Sequence, residues 1–76
     1  MYSAYDKQNE RYFSTGRNST NRTECEEDMI EYLLGEDPDT TETELNWILS
    51  HEKERQDVLN AWEVKIIEHE NKIPEE

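Results

Sequence analysis

Apolar positions keep a helical rhythm over two stretches of this chain and lack one at its start. Met29, Ile30, Leu33 and Leu34 fall within roughly 140° of one another at 100° per residue. Glu24, Glu27, Asp28 and Glu31 fill the opposite side. Thr23, Glu24, Cys25 and Glu26 read as a capping box, in which the threonine hydroxyl accepts from the third helical N–H and Glu26 reaches back to the cap's own N–H. Gly35 supplies a stop and Pro38 follows three residues later. The pattern predicts a first helix over residues 24–34.

A second capping box starts at Thr41 and ends at Glu44, and a longer pattern follows. Leu45, Ile48, Leu49, Leu59, Trp62, Ile66, Ile67 and Ile73 make one broad stripe, interrupted by Glu52, Arg55 and Gln56. Residues 51–57 contain no Gly or Pro. The pattern therefore predicts one helix over 42–72, about 45 Å long. The alternative is a break near Ser50 and His51, with Ser50 an acceptable N-cap. The stripe alternates threes and fours like a coiled-coil seam, but Glu52, Arg55 and His69 occupy three of its nine positions. Pairing of two copies along it stays open. Trp62 is placed in the core, and Trp47, roughly 100° away, outside it.

Residues 1–22 show no helical period. Tyr2, Tyr5, Tyr12 and Phe13 are separated by polar residues and followed by turn-formers. This head reads as an arm or as a short hairpin near residues 11–17. The expected fold class is mainly α: a small helical hairpin or bundle over 23–76 behind an irregular or hairpin head over 1–22.

Seventy-six residues allow one domain, and a chain this short buries only about 60% of its unfolded surface. Charge is distributed unevenly. Residues 23–76 carry eighteen acidic and four basic side chains, whereas residues 1–22 carry two acidic and four basic, for a net charge of −12. Such a surface repels nucleic acid and anionic membranes and attracts basic proteins. The start of the chain has no apolar run of the kind that makes a signal peptide, and no stretch is long enough to span a bilayer. The expected location is cytoplasmic, that of the host cell if a phage encodes the chain.

Candidate chemistry fails on inspection. His51 and His69 each begin like a zinc-protease helix, but Arg55 and Ile73 stand where the second histidine belongs. Residues 37–48 overlay a calcium loop only at its start, since Glu42 replaces the turn glycine and Ile48 the bidentate glutamate. Cys25, the only cysteine, lies in a helix's first turn between Glu24 and Glu26, which oppose thiolate formation. It reads as a small half-buried residue. The expectation is a protein without enzymatic activity, cofactor or metal.

The acidic face remains. Five carboxylates between Glu24 and Glu31 span about 10 Å of helix axis, roughly one charge per 2 Å, against one per ~1.7 Å in duplex DNA. A rigid helix can thus offer carboxylates where a nucleic-acid-binding cleft expects phosphates. The expected function is inhibition: the chain occupies the basic nucleic-acid-binding surface of a larger host enzyme or defence complex. In size and charge it is of the type of the small acidic proteins with which phages and mobile elements disable such enzymes, an analogy that no motif carries. The candidate partner-binding residues are Glu24, Glu27, Asp28 and Glu31, then Asp37, Asp39 and Glu42, with Trp47 as an exposed anchor. The alternative is an adaptor or regulator that binds a partner or itself through the apolar stripe over residues 45–73. A third reading uses Lys7, Arg11, Arg17 and Arg22 with the head aromatics as a nucleic-acid contact, which the body's charge opposes.

Overall fold

The computed structural model describes residues 1–74. The head is part of a sheet and not an arm. Strand β1 (Tyr2–Asp6) turns through residues 7–10 into β2 (Arg11–Tyr12), and the chain then enters helix α1 (Arg22–Leu34). Helices α2 (Glu42–Ser50) and α3 (Glu52–Ala61) follow, and β3 (Val64–Glu68) returns along β1. The sheet order is β2-β1-β3, antiparallel throughout, so the strand nearest the N-terminus is central. The fold is therefore α+β, which corrects the mainly α expectation.

The turn after β1 is built by Asp6. Its carboxylate accepts from the backbone N–H groups of Gln8 and Asn9, at 3.0 and 3.3 Å, and from the Asn9 side chain at 2.7 Å. The Asn9 side chain in particular holds the carboxyl below its ordinary pKa of 3.8. A lowered folded-state pKa adds stability above the unfolded value and loses it as pH falls through the folded one. Asp6→Asn keeps an acceptor oxygen but not the charge. The wild type is expected to lead Asp6→Asn in unfolding free energy at pH 7, with the gap closing towards pH 3; a pH-independent gap would exclude the mechanism.

Helix α1 starts two residues earlier than its capping box predicts. Asn21, not Thr23, is the N-cap, accepting from the Glu24 N–H at 2.7 Å. Cys25, Glu26, Met29 and Ile30 consequently face inward. At the other end Gly35 keeps right-handed helical geometry, with its N–H bonded to the Glu31 carbonyl. The Thr41 cap forms, accepting from Glu44 N–H at 3.1 Å.

The continuous helix over 42–72 does not form; the alternative, a break near Ser50 and His51, does. His51 is extended (φ −121°, ψ 111°) and separates α2 from α3. The break turns Arg55 back, so that its guanidinium donates to the Leu49 carbonyl at 2.6 Å, one of the orphan carbonyls at the end of α2. A second break follows at Trp62. Glu63 takes φ +57°, and the β-branched run Val64, Ile66, Ile67 becomes strand. The coiled-coil seam thus has no physical counterpart. Leu45, Ile48, Leu49, Leu59 and Ile66 pack on the core from three different elements, and Trp62, expected in the core, is 51% exposed.

The core comprises Ala4, Cys25, Met29, Ile30, Leu59 and Val64. Complete burial of Met29, Ile30 and Leu59 contributes roughly 1.5–3 kcal/mol each. Residues beyond β3 are strapped to the head. Asn18 receives the Ile73 N–H and donates to the Ile73 carbonyl, both at 2.9 Å. Arg17 donates to the carbonyls of Tyr12, Phe13 and Pro74. No helix among the described residues is long and apolar enough to cross a membrane.

Candidate functional site

Because α1 buries the side centred on Cys25, Glu26 and Met29, its other side faces solvent. Glu24, Glu27, Asp28 and Glu31 fall within about 100° of arc there, at 100° per residue. Glu24 and Glu31 are exposed and Glu27 and Asp28 half-buried. Residues three and four apart on a helix sit about 5–6 Å from one another, so the four carboxylates form a continuous strip. Among the described residues both ion pairs end on Glu26, and none of the four has a basic partner.

Glu26 belongs elsewhere. It is 1% exposed, and its carboxylate takes Arg55 Nε at 3.2 Å, Arg22 Nε at 3.1 Å and the Gln56 amide. Two cations and an amide on one carboxylate satisfy a charge that would otherwise be expensive inside a protein. This network joins α1 to α3 and was invisible in the sequence, where Glu26 read as a cap residue and Arg55 as a polar interruption. Their spacing of twenty-nine residues carries no local signal. Without Glu26 the strip holds about one charge per 2.6 Å, still within a factor of two of duplex DNA.

The other candidates lie around the connector and α2. Asp37 is engaged in its own turn, accepting from the Asp39 N–H at 2.9 Å and the Thr40 hydroxyl at 3.1 Å. Asp39 is exposed. Glu42 and Glu44 occupy the first turn of α2, where the helix dipole favours negative charge. Trp47 is 57% exposed and stacks on His51, with ring centroids 3.7 Å apart and planes 23° from parallel. Beside it Thr43, Glu44 and Ile48 line an open apolar hollow. Tyr32, which the sequence did not single out, is 58% exposed beside Phe13.

Cys25 is fully buried, not half-buried, and its thiol donates to the Gly16 carbonyl at 3.2 Å. Burial pushes its pKa up to about 11, so the thiolate needed of a nucleophile is scarce at neutral pH. Among the described residues no group of three or more His, Cys, Asp or Glu side chains is placed to hold a metal ion.

Comparison with protein families, characterised proteins and solved structures found no match to this chain.

Proposed function

We propose that this chain is a non-enzymatic binding protein that inhibits a larger nucleic-acid enzyme or effector complex by occupying its basic surface. The observation that carries the reading is the strip Glu24, Glu27, Asp28 and Glu31. It consists of four carboxylates on one helix, none with a basic partner among the described residues, on a chain of net charge −12. Charges placed this way are available to the Arg and Lys side chains of a partner through charge-assisted hydrogen bonds. Asp39, Glu42 and Glu44 extend the negative field, and Trp47 supplies a large apolar contact of the type that dominates interface energetics.

The test is the triple substitution Glu27→Lys, Asp28→Lys, Glu31→Lys, made on the side of α1 away from the core. Capture of a nucleic-acid enzyme by the wild type, steeply weakened by added salt and lost in the triple variant with far-UV helicity intact, is the expected result. Salt-resistant capture that survives the triple substitution but not Trp47→Ala would replace this reading with an adaptor docking through the hollow beside Trp47.

A further inference from the structure

Three of the chain's eight basic residues line one hollow, floored by Leu59, Val64 and Ile66. Lys7 follows β1, Arg22 opens α1 and Lys65 lies on β3; Gln56 and Asn60 of α3 complete the rim. The hollow measures about 500 Å³, inside the range of roughly 300–1,000 Å³ for small-molecule sites. Among the described residues no carboxylate lines it. Of the acids on the contributing elements, the two buried ones are already engaged: Glu26 with Arg22, Arg55 and Gln56, and Asp6 with Gln8 and Asn9.

The three cations keep hydrogen-bond donors free beside this hollow. Arg22 is held at Nε by Glu26, and its two Nη groups have no partner among the described residues. That leaves the end of the guanidinium as an accessible fork, the geometry that grips a pair of oxygens. Lys7 and Lys65 form no ion pair among the described residues, although the chain holds twenty acidic side chains. Three like charges around one depression repel each other, and an anion between them removes that repulsion.

We propose that this hollow binds a phosphate group, as free phosphate or as the monoester of a small molecule. A carboxylate offers two oxygens and one negative charge, whereas a phosphate monoester offers three terminal oxygens and a charge of about −1.5 to −2 at pH 7. The latter suits the unpaired Lys7 and Lys65, the free Nη groups of Arg22 and the Asn60 amide. The site is independent of the acidic strip and stands whether or not that strip binds a protein.

The experiment is an amide NMR titration of the full ¹⁵N-labelled chain with inorganic phosphate and, separately, phenyl phosphate, against sodium chloride at matched ionic strength. Saturable shifts are expected at Lys7, Arg22, Gln56, Asn60 and Lys65, with a Kd of about 1 mM. Lys7→Gln combined with Lys65→Gln removes two exposed charges and is expected to weaken binding about tenfold or more, while Lys53→Gln changes nothing. Tighter binding of phenyl phosphate assigns the site to an ester, and equal or weaker binding to free phosphate. Shifts that chloride reproduces, that fail to saturate, or that the double variant leaves intact would overturn the proposal.

Discussion

Arg55→Ala is expected to lose about 3–5 kcal/mol of stability, the cost of taking from a buried carboxylate its one buried cation. The Arg55 side chain is only 8% exposed and that of Glu26 2%, so the pair is largely desolvated. The substitution also frees the Leu49 carbonyl at the end of α2. A domain of this size has little stability in reserve, so the variant should be largely unfolded at 37 °C. Denaturant unfolding followed by far-UV circular dichroism measures the loss. The double variant Glu26→Leu, Arg55→Met should recover much of it, because apolar residues of similar volume often replace a buried pair without penalty. A single Arg55→Ala variant within 1 kcal/mol of wild type would show that Arg22 and Gln56 suffice to hold Glu26.

Gly16→Ala should cost about 2–4 kcal/mol, from two sources that act together. Gly16 has φ +64°, a left-handed conformation that costs an L-residue roughly 1–2 kcal/mol. An added Cβ would also stand 3.1 Å from Met29 Cγ and 3.3 Å from the Cys25 carbonyl oxygen. Overfilling a packed core costs about 1–3 kcal/mol. The Gly16 carbonyl meanwhile receives both the Ala4 N–H at 2.8 Å and the Cys25 thiol, so any shift disturbs β1 and α1 at once. Thermal unfolding checks this, since each 1 kcal/mol moves the Tm by roughly 4–8 °C at this length. A Tm within 2 °C of wild type would mean that the head packs more loosely than its contacts indicate.

Local chemistry was legible where it was strong. The amphipathic period of α1, the Thr41 cap and the exposure of Trp47 follow from spacing and side-chain type within a few residues. The acidic strip is legible for the same reason, since residues three and four apart share a helix face whatever the rest of the chain does. The break near Ser50 and His51, held open as the alternative, is the one that forms, and residues 52–61 are helical as expected; the reading failed over residues 62–72. There the apolar residues fit a helical stripe, yet Val64, Ile66 and Ile67 are β-branched and equally suited to a strand. No Gly or Pro marks either break: His51 is merely extended, and Glu63 adopts a left-handed conformation that its residue type does not announce. Of the two readings of the head the hairpin forms, but over residues 2–12 and not 11–17, and β1 takes its second partner from a strand about sixty residues away.

Neighbouring residues alone settle the charge imbalance, the helix start at 42, the start of α1 to within two residues, and the acidic strip. Periodicity, capping and charge density are properties of neighbouring residues, so they survive without knowledge of the fold. Only the tertiary structure decided that β1 and β3 pair, that the long stripe breaks twice, that Glu26 leaves the acidic face for Arg55, and that Lys7, Arg22 and Lys65 surround one hollow. Each of those joins residues far apart in the chain, and each is selected by what buries apolar surface while leaving no charge alone inside.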